Sequence, residues 1–276
     1  MPIIHAVILG IVQGLSEFFP ISSSGHLILV PWLFGWDDFE SSSVEKAFDV
    51  ALHIGTLIAV CGYFWRDLIV YARDGWGAVR TRGRRVTPAG RLAWLLLLAT
   101  VPAVLVGAAF QSQIDEQLGR IPLIAISLIV FGLLLGWADT LPGKRDLDDM
   151  DRRDALVVGA AQVLSLNPGT SRSGITITAA RMRTFNRDAA VRISFLMAIP
   201  VTAAAVVYKM GKLVGDGIPD GLLVPMIVGI ITSAISGWFA VGWLLKYVRT
   251  KSFVPFVIYR VGLGVVVLVI AASGLR

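Results

Sequence analysis

The chain has 276 residues, 55% of them hydrophobic and 16% charged, with a formal net charge of +6 and a mean hydropathy of +0.74. That balance belongs to an integral membrane protein and excludes an ordinary soluble domain or a disordered chain. The basic excess does not call for nucleic acid, because most of the cations fall in a few connections between apolar runs, which is the positive-inside pattern.

Residues 2–16 form the first apolar run. As a helix it measures about 22 Å, short of the roughly 30 Å hydrocarbon core. Pro20 and the serines Ser22, Ser23 and Ser24 follow, and a second short run covers 25–35. Two short helices joined by a polar elbow predict a re-entrant hairpin over 2–35, since irregular backbone at that depth survives only when buried in protein or lining a wet cavity. The runs 47–65, 91–110 and 121–138 are long enough to span. A second interrupted segment covers 154–180, where DALVVGAAQVLSL meets the polar elbow NPGTSRSG. It predicts a second hairpin, followed by spans at 189–208, 222–245 and 253–273. The expected fold class is therefore an all-α polytopic membrane protein. Its single cysteine, Cys61, allows no disulfide within the chain. The first basic residue is Lys46, so the N-terminus lacks the charged region of a cleavable signal peptide and is expected to be retained.

Charge sets the orientation. Arg66, Arg73, Arg80, Arg82, Arg84, Arg85 and Arg91 share one connection, and Lys144, Arg145, Arg152 and Arg153 share another. Arg181, Arg183, Arg187 and Arg192 form a third group, and Lys246, Arg249 and Lys251 a fourth. With these four on the cytoplasmic side, the remaining segments keep only Lys46, Arg120, Lys209, Lys212 and Arg276. The acidic stretch WDDFESSSVE then lies outside, the first hairpin enters from outside and the second from inside. At a fixed offset of 149, Gln13, Ser16, Ser22, Ser24 and Gly25 fall on Gln162, Ser165, Ser171, Ser173 and Gly174. This register predicts two inverted-topology repeats in one integrated membrane domain, 1–138 and 139–276, each a hairpin plus three spans. Inverted repeats built on broken helices share a site near the bilayer midplane.

The polar residues of the two elbows are the candidates for chemistry. Gln13 and Glu17 are four apart on one helix face, and a glutamate inside a membrane segment marks function by default. Two oxygen donors one turn apart suit Mg²⁺ or Ca²⁺. Ser22, Ser23 and Ser24 exceed what one N-cap needs, and the N-terminus of a half-helix attracts an anion. His26 in the same turn is a candidate base, acid or nucleophile. Arg172, between Ser171 and Ser173 and ahead of Thr176, is a natural phosphate clamp. At the repeat offset it takes the place of Ser23, so one elbow offers a hydroxyl where the other offers a fixed cation. Asp49 and His53 share a face, either lining the mouth of the site or solvating a helix end, and Arg260 in the last span is assigned no chemistry.

These residues resemble a known family. Gln13-x-x-x-Glu17 is similar to its (E/Q)xxxE motif, PISSSGH (20–26) to its serine–histidine segment and PGTSRSGIT (168–176) to its PGxSRSxxT motif. The family is the undecaprenyl-diphosphate phosphatases of the bacitracin-resistance type. The resemblance covers essentially the whole chain. It implies hydrolysis of undecaprenyl diphosphate, the lipid carrier of bacterial cell-wall synthesis, to the monophosphate and inorganic phosphate. It also implies an essential site of Glu17, Ser23, His26 and Arg172 with Gln13, Ser171, Ser173 and Thr176 around it, and a divalent cation, Mg²⁺ or Ca²⁺. Gln13 leaves one carboxylate instead of two, which argues against a metal held by protein ligands alone. Ser23 activated by His26 and Glu17, His26 itself, or water are the routes to phosphorus, with Ser23 and His26 as base preferred. The expected location is the bacterial inner membrane, with the site opening to the outer, periplasmic face. A homodimer is left open, and no nucleic-acid partner is expected. The rival reading is a transporter or flippase of a polyprenyl phosphate lipid, because that architecture is also the transporter one.

Overall fold

The computed structural model describes residues 1–39, 41–84, 86–110, 119–216 and 221–275. Of the charges counted above, Arg85 and Arg276 lie outside the described residues, as does the side chain of Lys212. Among those described, the chain forms α-helices and short 3₁₀ turns and no strand. In order the helices are α1 (Ile3–Phe18), α2 (Ser23–Phe34), α3 (Ser42–Tyr63), α4 (Trp65–Arg80), α5 (Pro88–Ala109) and α6 (Ile121–Asp139). They continue as α7 (Arg152–Val163), α8 (Arg172–Met182), α9 (Arg187–Asp216), α10 (Leu223–Tyr247) and α11 (Val254–Ser273).

Among the described residues, five helices are long and apolar enough to cross a membrane: α5, α6, α9 through its Arg187–Lys209 stretch, α10 and α11. They cover five of the six predicted spans. The sixth, 47–65, falls in α3, which meets the same criterion only together with α4, and the two are bent by 79° at the break between them. The reason is visible in the first turns of α3, where Glu45, Lys46 and Asp49 dilute the apolar character. Helix α4 begins at the last residue of that span and fills most of the connection that holds Arg66 to Arg91, where the sequence predicts no helix. Its backbone lies on α5: Trp94 Nε1 donates to the Gly75 carbonyl at 3.1 Å, and both Gly75 and Ala78 are buried.

Large aliphatic side chains point outward on the long helices. Leu105, Val207, Ile235 and Ile258 are 64–73% exposed, an arrangement that lipid favours and water would penalise. Between the helices, small residues let backbones approach, as in other membrane bundles. Helix α1 runs along α10 and α10 along α3, and a Cβ on Gly14 would stand 2.6 Å from the Gly237 nitrogen of α10.

The two elbows are built alike. Ser22 and Ser171, one repeat offset apart, have φ of 80° and 72°, a region that non-glycine residues occupy only where surroundings hold them. Each caps the helix that follows: the Ser22 hydroxyl accepts from the Gly25 N–H at 3.3 Å and the Ser171 hydroxyl from the Gly174 N–H at 3.0 Å. The elbows also meet, since the Gly169 N–H donates to Ser22 Oγ at 3.0 Å. Gly169 has φ of 92°, and a Cβ there would lie 2.5 Å from the Ile124 carbonyl of α6.

Several arginines that mark topology also form ion pairs. Arg145 donates to both oxygens of buried Asp154 at 3.0 and 2.5 Å, and Arg183 Nε reaches the same carboxylate at 2.7 Å. Arg187 Nε bonds buried Asp139 at 2.6 Å. These pairs tie the segment after α6 to the ends of α7 and α8, so the cations of this connection serve as struts as well as orientation signals.

Candidate active site

Glu17 ends α1 at the first elbow and is 7% exposed. Its Oε1 accepts from Arg172 Nη2 at 2.8 Å, across the two hairpins. Its Oε2 accepts from Ser23 Oγ at 2.5 Å and from Gln13 Nε2 at 3.1 Å. The structure therefore gathers three predicted residues, one each from α1, α2 and α8, on the carboxylate of a fourth. Such hydrogen bonds with an ionised partner are the strong ones in a desolvated setting. Arg172 is further fixed by Nη1, which donates to the Ser194 carbonyl of α9 at 3.3 Å.

His26 is placed differently from the preferred sequence reading. Its Nδ1 bonds the Ser22 carbonyl at 2.7 Å and its Nε2 the Tyr259 hydroxyl of α11 at 2.7 Å. A carbonyl only accepts, so Nδ1 carries the proton, and in the neutral ring Nε2 accepts from the phenol. The Ser23 hydroxyl is bonded to Glu17 and not to this imidazole. The carboxylate, rather than the histidine, is the proton acceptor that geometry offers to Ser23.

The remaining predicted hydroxyls hold the elbows. Ser171 and Ser173 share a contact at 3.2 Å, and Ser173 donates to the Phe19 carbonyl of the first elbow at 3.0 Å. Thr176 donates to the Arg172 carbonyl at 2.8 Å and shares a hydroxyl–hydroxyl contact of 2.8 Å with Ser194 Oγ. Ser24 lies half-buried in the first turn of α2. His53 comes close to the centre: its Nε2 stands 3.8 Å from Glu17 Oε2, while Nδ1 is held by the Asp49 carbonyl at 2.7 Å. Tyr259 and Ser194 were not singled out by sequence. Nothing local distinguishes a tyrosine or serine on an apolar helix, and their roles appear only when α11 and α9 meet the elbows.

The donors present fit a divalent cation that takes its other ligands from phosphate. Gln13 Oε1 is buried and has no hydrogen-bond partner, and it stands on the same amide that bonds Glu17. One amide oxygen and one carboxylate oxygen suit Mg²⁺ or Ca²⁺, which commonly complete their shells with phosphate and water. Among the described residues, no group of three His, Cys, Asp or Glu side chains forms a metal cage.

Fold and site together define a polytopic membrane protein with a desolvated polar centre, where a hydroxyl, a carboxylate and a guanidinium converge from two elbows. The profile of the family described as Bacitracin resistance protein BacA matches residues 6–266, and the chain belongs to that family. It is 48% identical over 270 residues to an undecaprenyl-diphosphatase of Geobacter sulfurreducens, covering 97% of this chain and 98% of that relative. It is 46% identical to the protein of the same name from Pelobacter propionicus, over 100% and 99% of the two lengths. Against the Moorella thermoacetica undecaprenyl-diphosphatase the identity is 42% over the full length of both chains.

Proposed function

We propose that the chain hydrolyses undecaprenyl diphosphate to undecaprenyl phosphate and inorganic phosphate, returning the lipid carrier to cell-wall synthesis, and that this is the basis of bacitracin resistance in its family. The observation that carries the reading is the Glu17 carboxylate, shared by the Ser23 hydroxyl at 2.5 Å and the Arg172 guanidinium at 2.8 Å. A binding site for an anion needs the cation but not the paired hydroxyl and carboxylate, which favours an enzyme over a carrier.

In the mechanism, Arg172 and the first turn of α2, with Ser22 and Ser24, receive the diphosphate, while Ser171, Ser173 and Thr176 keep the arginine in place. Ser23 Oγ attacks the terminal phosphorus in line as its proton passes to Glu17 Oε2, and the anhydride bond to the lipid monophosphate breaks. The leaving phosphate takes up charge that Arg172 neutralises. Water then hydrolyses the phosphoserine and the proton returns to Ser23. Gln13 and Glu17 would hold Mg²⁺ or Ca²⁺, which supplies charge neutralisation to the phosphate oxygens when bound. His26, pinned between Ser22 and Tyr259, keeps the first turn of α2 in register.

Phosphate release from purified protein in detergent, with the intermediate trapped and mapped, tests the reaction and the route. The expected result is turnover by the wild type and an acid-stable phosphate on Ser23. An acid-labile phosphate on His26 overturns the serine route, and absence of turnover overturns the function.

The site is proposed to open to the outer face of the bacterial inner membrane. In a Cys61→Ala background, Ser23→Cys is expected to react with an impermeant thiol reagent added outside the cell. Labelling from the cytoplasmic side alone defeats this orientation.

A further inference from the structure

Arg260 is fully buried in α11, the largest side chain so enclosed among the described residues. An arginine keeps its charge even in such a place. Yet among the described residues no carboxylate pairs with it, and its nitrogens bond carbonyl oxygens only. Nη1 donates to Pro20 O of the first elbow at 3.2 Å. Nη2 donates to Gly169 O and Thr170 O of the second elbow, both at 2.9 Å. Nε and Nη2 also reach Leu128 O at 3.2 Å and Ser127 O at 3.5 Å on α6. One planar fork thus spans both elbows, on the carbonyl side of the same Gly169 whose N–H bonds Ser22.

The chain makes room for this cation. A Cβ on Gly174, in the first turn of α8 two residues after Arg172, would stand 2.7 Å from Arg260 Nη1. A Cβ on Gly132 of α6 would stand 3.1 Å from the Arg260 Cβ. The guanidinium is therefore packed against the turn that carries the phosphate clamp. With Glu17 negative and Arg172 and Arg260 positive, the elbows carry an excess of positive charge inside an apolar envelope. A buried cation without a counter-charge is costly. Carbonyl dipoles offset part of that cost, and an arriving anion offsets the rest.

We propose that Arg260 is the second cation of the diphosphate site, a positioning residue that clasps the two elbows together and lends its charge to substrate binding without touching the substrate. The inference rests on the phosphatase reading above. It separates two properties, the fork that aligns the elbows and the charge that draws the anion, and lysine keeps only the second.

The test compares wild type, Arg260→Lys and Arg260→Gln by phosphate release from undecaprenyl diphosphate, each rate normalised to folded protein by size-exclusion and thermal unfolding in detergent. For Arg260→Lys we expect kcat to fall about tenfold or more with KM little changed, and for Arg260→Gln a KM raised about tenfold as well, the scale of losing a charge-assisted interaction. Should the glutamine variant not fold, the split between kcat and KM in the lysine variant still decides. Variants that lose folded protein while each folded molecule keeps wild-type kcat and KM show a scaffold role only and overturn the proposal. So does a glutamine variant with wild-type KM. Failure of the wild type to release phosphate would instead strike the phosphatase reading itself.

Discussion

Glu17→Gln is expected to lower kcat for phosphate release by about 10²–10⁴-fold, the range of a lost general base, with a smaller change in KM. Glutamine keeps the size of the side chain and an oxygen that accepts from Ser23 or Arg172. It cannot take the serine proton, and it leaves the part-buried guanidinium of Arg172 without its anion. The first consequence falls on the chemical step and the second on the resting structure, and the two are separable. Thermal unfolding in detergent reads the second, where removing one partner of a buried pair typically costs about 3–5 kcal/mol. Substrate phosphate supplies a replacement anion to Arg172, so undecaprenyl diphosphate should stabilise the variant more than it stabilises the wild type. Turnover by Glu17→Gln within about threefold of wild type, too small a loss of transition-state stabilisation for an essential base, defeats the role of Glu17 as proton acceptor. The serine would then need another acceptor, and His53, 3.8 Å from the same carboxylate oxygen, is the side chain to examine.

Much of this site was legible because polar groups are conspicuous in an apolar chain. Glu17, Ser23 and Arg172 each sit where desolvation demands a reason, and the offset of 149 between the elbows joined residues that are far apart in the chain. The common cap geometry of Ser22 and Ser171 supports the proposed duplication. Long hydrophobic runs gave five spans for the same reason, since the hydrocarbon core imposes a length. The weaker parts of the reading share a different cause. Helix α4 carries Arg66, Asp67, Arg73, Asp74 and Arg80, so hydropathy passes over it, and the same charges serve as topology signals. Nearness in sequence makes His26 the preferred base for Ser23, but a side chain in the first turn of a helix points where tertiary partners draw it. Here the partner is Tyr259, 233 residues away. The sequence assigns Arg260 no chemistry, because backbone carbonyls, its partners in the fold, carry no residue-type signature. A sequence advertises side chains, and the partners of Arg260 are main-chain oxygens of both elbows and α6.

Arg172 carries the second large effect. Replacing it with alanine removes the clamp on the transferring phosphate and leaves Glu17 buried with only the neutral donors Ser23 and Gln13. A guanidinium that neutralises a transferring phosphoryl group is worth about 10³–10⁵ in rate, and a loss of that order in kcat/KM is expected for Arg172→Ala. Arg172→Lys restores the charge but not the fork, which in the resting structure reaches Glu17 and the Ser194 carbonyl with two different nitrogens. It should fall between alanine and wild type, because a point charge follows the phosphate less faithfully than a planar donor pair. The decisive measurement is the double variant. If Glu17 and Arg172 act as one unit, Glu17→Gln with Arg172→Ala loses little beyond the worse single variant, since residues that work together are strongly non-additive. If the two losses multiply, the ion pair seen at 2.8 Å is a resting contact between residues with independent tasks. Wild-type turnover by Arg172→Ala removes the second elbow from the chemistry altogether. The convergence of α1, α2 and α8 would then have to be explained as packing of the two elbows, with the 2.8 Å contact between Arg172 and Glu17 as part of that packing.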